Sequence, residues 1–158
     1  MTYVLGPRAV PKKTRIHELT LSSSQTVNSG DVIKFDTVRS TSSGGVSNNS
    51  STGEITLSSS YRYTLIASLD VSRAATTNSV RVAWFDGATE LVASTGGYDA
   101  TWTYHGAAAT SNLTNNTMQA WYIPEGAPAS PVTLKVFDVG NNSTINTSMS
   151  VLIIETEV

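Results

Sequence analysis

Tyr61, Tyr63, Leu65, Ala67 and Leu69 fall on every second position of one stretch, alternating with Arg62, Thr64, Ile66 and Ser68. Successive side chains of an extended chain point to opposite faces, so this period of two marks a strand with one face buried. Val80, Val82 and Trp84 repeat the pattern, and Asp86-Gly87 then reads as a hairpin turn before Glu90-Leu91-Val92. Val32-Ile33-Lys34-Phe35 is expected as a strand, as is 117–123, which Pro124 and Gly126 end. Val132, Leu134 and Val136 form another, closed by Gly140-Asn141-Asn142. Val151 to Ile154 is apolar at consecutive positions, which predicts a central strand buried on both faces. Loops rich in Ser, Thr, Asn and Gly separate these runs at 40–53, 74–79 and 141–147. No long segment keeps the helical period of about 3.6 residues. The pattern predicts an all-β, antiparallel two-sheet sandwich of the jelly-roll kind, without internal repeat or second domain.

The 158 residues suit one domain with a single core. Only 14% of them are charged, well below the usual quarter or so, so Ser, Thr, Asn and Gly must carry solubility. Such a polar, uncharged coat is common in extracellular β-proteins and in viral shells and fibres. There is no cysteine, which excludes a disulfide scaffold, a thiolate metal site and a cysteine nucleophile. Residues 1–11 lack the run of about 7–15 apolar residues of a signal peptide. No stretch approaches the ~20 apolar residues of a membrane span. Synthesis in a host cytoplasm, followed by exit inside a virion, fits both observations.

Charge is uneven. Four of the ten Lys and Arg (Arg8, Lys12, Lys13 and Arg15) precede the first acid, leaving six against twelve Asp and Glu in the remaining chain. With Pro7 and Pro11, this predicts an extended basic arm over 1–17 ahead of a mildly acidic domain over 18–158. The arm reads either as a docking element on an acidic surface or as a solvated terminus. The prolines favour docking, because a stiff segment loses less entropy on ordering.

Signatures of catalysis are sparse. His17 and His105 are the only histidines, and no G-x-S-x-G elbow accompanies the abundant Ser and Asp. Asp86, Glu90, Asp99, Glu125 and Asp138 are better read as turn and strand-end residues than as paired catalytic carboxylates. No EF-hand, H-E-x-x-H or glycine-rich phosphate motif is present, although a loop calcium held by Asp and Asn oxygens stays open. No catalytic residue, metal site or cofactor is expected. The acidic body argues against nucleic acid, and the composition gives no membrane partner. The segment 96–106 concentrates Tyr98, Trp102, Tyr104 and His105 between glycines. Exposed, it would be a contact patch for a sugar or a protein. The alternation of Ala100, Trp102 and Tyr104 with Thr101 and Thr103 favours one more strand.

Ser51-Thr52-Gly53-Glu54-Ile55-Thr56, followed by Tyr61-Arg62-Tyr63-Thr64-Leu65, resembles the turn and aromatic strand of C1q/TNF-like jelly rolls, with Tyr63 at the characteristic tyrosine. Residues 32–38, 80–95 and 149–155 resemble that family's preceding strand, central hairpin and closing strand. Ile55 stands where the family usually has Phe, Tyr61 where it has Gly, and Leu65 and Ala67 at further aromatic positions. The resemblance covers roughly Leu19 to Val158 and implies a homotrimer. Tyr61, Tyr63, Trp121 and Tyr122 are candidates for its interface, or else for the monomer core.

Bacteriophage virions carry divergent members of this type as decoration proteins, head fibres and receptor-binding tips. The resemblance therefore implies a viral structural protein. The expected function is a trimeric cement protein on the outer capsid surface, held to the major capsid protein through Arg8, Pro11, Lys12, Lys13 and Arg15. The alternative is a receptor-binding or fibre tip that contacts a host-surface glycan or protein through Tyr98, Trp102, Tyr104 and His105. A stand-alone carbohydrate-binding module leaves the basic arm unexplained.

Overall fold

A computed structural model describes residues 12–40, 44–72, 80–91, 101–104, 113–122, 131–138 and 143–157. Among them all regular elements are strands: β1 (Thr14–Thr20), β2 (Gln25–Val27), β3 (Thr37–Ser40), β4 (Val46–Asn49), β5 (Glu54–Leu57), β6 (Tyr61–Ser72), β7 (Val80–Asp86), β8 (Thr89–Glu90), β9 (Thr101–Tyr104), β10 (Leu113–Tyr122), β11 (Val132–Asp138), β12 (Ser143–Ile145) and β13 (Ser150–Glu157). The alternating stretch that opens at Tyr61 becomes β6. Tyr63, Leu65, Ala67, Leu69 and Val71 are buried, while Thr64, Ile66 and Ser68 are only partly so.

The strands build two antiparallel sheets. The first runs β2-β12-β6-β13-β1-β3, with β10 also paired to β6. Residues 63–68 of β6 pair with both β13 and β10, so those two strands flank it on opposite edges. The second runs β4-β5-β11-β7-β8, with β9 also paired to β7. The early strand β1 lies full length against the last strand β13, from Thr14 opposite Thr156 to Thr20 opposite Ser150. Such sequence-distant pairing is typical of a jelly roll. The sheets enclose one core, to which the first contributes Leu19, Leu65, Leu69 and Ile153 and the second Ile55, Leu57, Trp84 and Leu134. Each fully buried aliphatic side chain contributes about 1.5–3 kcal/mol.

Two turns follow their sequence signals. The Asp86-Gly87 turn joins β7 to β8, with Phe85 opposite Glu90. At Thr52-Gly53 the glycine has φ 76°, and a Cβ there would sit 2.5 Å from the Ile33 carbonyl oxygen. Only glycine meets both demands without strain.

Four expectations need correction. Val32–Phe35 is a crossover between the sheets rather than a strand. Ile33 and Phe35 are fully buried, but Ile33 N–H donates to Leu134 O (2.9 Å), and Val32 makes an isolated bridge to Lys135. The Gln25 side chain occupies the backbone groups of Lys34, accepting from its N–H (3.0 Å) and donating to its carbonyl. Strand β13 is central, yet only its inward face is buried. Val151 and Ile153 are fully enclosed whereas Leu152 and Ile154 are half-buried, because one face of this sheet turns outward. The domain also starts earlier than residue 18: β1 begins at Thr14, so 14–17 belong to the sandwich and not to an arm. Finally, Tyr63 is a core residue, 2% exposed between the sheets, and not available to an intermolecular interface.

Candidate functional site

Two features stand out around β1 and β13: a weakly charged outward face and a buried ionic cluster beneath it. The outward face follows from register. Ile16 lies opposite Ile154, Ile154 opposite Thr64, and Thr64 opposite the backbone of Trp121. In the adjacent row Glu18, Leu152, Ile66 and Gln119 are successive partners. Ile16 is 42% exposed, and Ile66, Leu152 and Ile154 are half-buried. Polar rows bound this aliphatic patch, with Ser150 and Ser68 on one side and Thr14, Thr156 and Arg62 on the other. Glu18 is the charge nearest its centre, and it pairs across the edge with Arg39 of β3 at 3.9 Å. Val38, on the same edge strand, is 47% exposed.

On the inward side of β1, Arg15 and His17 occupy positions where Leu19 continues the core. They face Glu155 of β13, which is fully buried. The Arg15 guanidinium donates to Glu155 Oε1 at 2.5 Å and lies 3.8 Å from Glu157. It also rests over the Tyr61 ring, 5.4 Å from its centre. The second carboxylate oxygen accepts the Gly45 N–H at 2.5 Å. His17 Nε2 is 3.6 Å from that same oxygen, and the residue is 1% exposed. The Gly44-Gly45 segment roofs the cluster. A Cβ on Gly44 would stand 2.9 Å from both Glu155 oxygens, and one on Gly45 2.6 Å from the Tyr63 hydroxyl. That hydroxyl donates to Ser58 O (3.1 Å) and Gly45 O (3.3 Å).

Burial sets the electrostatics here. Desolvation lowers the His17 pKa below the ordinary histidine value, with the Glu155 charge opposing and that of Arg15 assisting. The Arg15 pKa is raised, first by its hydrogen bond to Glu155. Tyr63 is held above the usual phenol range, chiefly by burial. Apart from this cluster, the Asp36 pKa is lowered by the Ser22 hydroxyl and backbone N–H, both of which donate to its carboxylate.

The residues singled out in the sequence separate into several places. Lys12 and Lys13 are exposed just ahead of β1, and the Lys13 carbonyl accepts from Glu157 N–H at 3.3 Å. Arg8 and Pro11 lie outside the described residues. Arg15 is tied into the sandwich. Tyr61 packs edge-on against Tyr63, their ring centres 6.4 Å apart. Trp121 and Tyr122 are placed by backbone only, opposite Thr64 and Tyr63. Trp102 and Tyr104 fall in β9, opposite Val82 and Val80, which is the strand that the alternation favoured. Tyr98 and His105 lie outside the described residues, as do Asp99 and Glu125. Among the described residues no group of three or more His, Asp or Glu is arranged to hold a metal ion. A polar groove of about 350 Å³ lies between Gln25–Val27 and Asp31, Val32 and Lys34, away from the cluster.

Sequence reasoning missed β1 and the cluster under it. The alternation of Arg15, His17 and Leu19 is the signal, but two of those three residues are polar and do not read as a core face.

No protein-family model matches the chain, and no curated protein matches its sequence. Solved structures match its fold. PRD1 vertex protein P5 is similar with a TM-score of 0.52 and 10% identity, over 96% of this chain and 99% of that one. Eiger TNF from S. frugiperda is matched with a TM-score of 0.44 and 10% identity, over 94% of each chain. At 10% identity the first likeness is one of fold. The chain has the two-sheet jelly roll that the resemblance to C1q/TNF-like proteins implied.

Proposed function

We propose that this chain is a virion structural protein that trimerises through the outward face of β1, β13 and β6 and decorates the outer capsid surface. The observation that carries the reading is the aliphatic patch of Ile16, Ile66, Leu152 and Ile154 on a sheet face with few charges. A face of that composition gains from association, since burying apolar surface contributes about 25 cal/mol per Å². Three copies around an axis form a closed heterologous assembly, so a patch on one sheet need not be self-complementary. The near-complete mutual coverage with PRD1 vertex protein P5 supports a place in a virion.

In this reading the segment ahead of β1 docks on the major capsid protein, with Arg8, Pro11, Lys12 and Lys13 as its contacts and Arg15 as its anchor in the sandwich. Three segments acting together bind through effective concentration, so each alone can be weak. Deleting residues 1–12, which stops short of the Lys13–Glu157 contact, is expected to leave a folded trimer that no longer binds capsids. Undiminished capsid occupancy by the truncated protein would overturn the docking role.

A receptor-binding or head-fibre tip is the second reading, favoured by the likeness to a protein described as a vertex component. Tyr98, Trp102, Tyr104 and His105 would then contact a host-surface glycan or protein. Immunogold labelling of particles separates the two. Label over the whole shell indicates decoration, and label confined to vertices or projections indicates a tip.

A further inference from the structure

We infer that the corner of the first sheet where β1 and β6 begin and β13 ends is a basic docking face for an acidic protein surface, with Arg62 as its contact from the body of the domain. This face extends the docking described for the segment ahead of β1 and rests on that reading. Register builds the corner. Thr14, Thr156 and Arg62 are successive partners across β1, β13 and β6, and Tyr61 lies opposite Glu157 one position further out. Lys12 and Lys13 lead into the same corner, where the Lys13 N–H donates to the Glu157 carboxylate at 3.4 Å.

The cations here are free and the carboxylates are not. Lys12, Lys13 and Arg62 are exposed, and their side chains have no ion-pair partner among the described residues. Glu155 is fully buried against Arg15 and the Gly45 N–H. Glu157 lies 3.8 Å from Arg15 while it accepts from Lys13. On the second sheet Asp86 is in register with Ile55 across β11 and is half-buried, and Glu90 is taken by Arg81. Setting aside that pair and the buried His17, Lys12, Lys13, Arg15 and Arg62 stand against Glu155, Glu157 and Asp86, a positive balance on a chain whose formal charge is -2. Such a local excess of exposed cations attracts an acidic partner and orients its approach.

Arg62 belongs to the polar row that bounds the aliphatic patch. Copies packed through Ile16, Ile66, Leu152 and Ile154 therefore leave its guanidinium at the rim. A guanidinium grips a carboxylate through two parallel hydrogen bonds, so Arg62 adds direction to the point charges of Lys12 and Lys13. Nucleic acid fits this corner less well than protein. Its phosphates form an unbroken line of negative charge, and the Glu157 side chain, 39% exposed among the cations, would be set against them. A protein surface mixes both signs and can offer Glu157 a cation of its own.

The test uses the full-length protein and two measurements. Co-sedimentation with shells stripped of the chain reads affinity at about 0.05 M and about 0.3 M salt, since screening shortens the reach of exposed charges. Arg62→Glu is expected to weaken binding about tenfold or more at the lower salt, the change being repeated in every copy of the trimer, with circular dichroism and oligomeric state unchanged. Lys34→Glu, the same charge change on the crossover, is expected to stay within about twofold. Equal loss in both variants reduces the effect to net charge, and undiminished binding of Arg62→Glu leaves the body without a contact; either overturns the inference. If Arg62→Glu binds normally while removal of residues 1–12 abolishes binding, the docking segment survives and this face does not. If the intact chain binds no shells, the docking reading fails, and NMR titration with poly-glutamate decides the face by itself. Amide shifts at Thr14, Arg62 and Thr156 that are absent at Asn146 and Met149 uphold it, whereas shifts spread evenly, or none, refute it. Duplex DNA that binds the same corner more tightly than poly-glutamate makes the partner a nucleic acid and overturns the one stated.

Discussion

Tyr63 shows how one residue can satisfy a family pattern and take the core alternative rather than the interface one. Its ring is sealed between the sheets, and its hydroxyl holds the Ser58 and Gly45 carbonyls. Tyr63→Phe should cost about 1 kcal/mol in denaturant unfolding, the worth of an ordinary hydrogen bond, and leave the oligomeric state unchanged. Gly45→Ala places a methyl 2.6 Å from that hydroxyl and should destabilise by about 1–3 kcal/mol in the same assay. His17 makes stability depend on pH. Its folded pKa lies below the unfolded value of 6.5, so the unfolded chain takes up the proton first as pH falls. The stability tied to a neutral His17 is thus fully present above that value and erodes as pH drops through it towards the folded pKa. Thermal melts of the wild type should decline over that window more steeply than those of His17→Gln.

At the scale of elements, the strands that were legible have apolar residues on alternate positions, as in β6, β7 and β11. Strand β1 was not legible, because its inward face holds Arg15 and His17, whose partner Glu155 sits at the far end of the chain. The run 32–35 misled in the opposite direction. Ile33 and Phe35 are buried by crossing between the sheets, and a one-dimensional pattern does not distinguish that from burial against a neighbouring strand. Turns are where single substitutions act on whole elements. Gly53→Ala forces a side chain into φ 76° against the Ile33 carbonyl, and should cost roughly 1–2 kcal/mol for the backbone alone. The turn between β12 and β13 is pinned to β6 by Asn146, whose amide donates to Asp70 (2.7 Å) and Ser72 (2.9 Å), and by Ser148, which also donates to Asp70. Asn146→Ala should expose the β12 amides to faster exchange before the rest of the sheet responds.

For the whole molecule, the distribution of charge and exposure matters more than any one contact. The second sheet carries an Arg81–Glu90 ion pair and Lys135 over the Phe85 ring on its outward side. The first presents the aliphatic patch with Glu18 as its nearest charge. If the patch is the trimer face, Ile154→Arg should give a folded monomer, seen by light scattering together with an unchanged circular dichroism spectrum. A trimer that persists in this variant would move the interface elsewhere. Folding should be slow for a chain of this length, in the range of about milliseconds to seconds, since β1 must find β13 across nearly the whole sequence. Stopped-flow tryptophan fluorescence, with Trp84 fully buried, measures this directly.

By itself the sequence determined the fold class, the hairpin at Asp86-Gly87, the Thr52-Gly53 turn and most of the inward-facing residues. Each of these is local, written in alternation or in a turn residue whose conformational demand is visible in place. Only the tertiary structure decided that residues 14–17 belong to strand β1, that Tyr63 is internal and that Leu152 and Ile154 look outward. It alone also brought Arg15, His17, Gly45 and Glu155 to one buried point. Those outcomes depend on which strands become neighbours and which face each sheet turns to solvent. Long-range pairing fixes both, and its partners leave no mark on the sequence around any one of them.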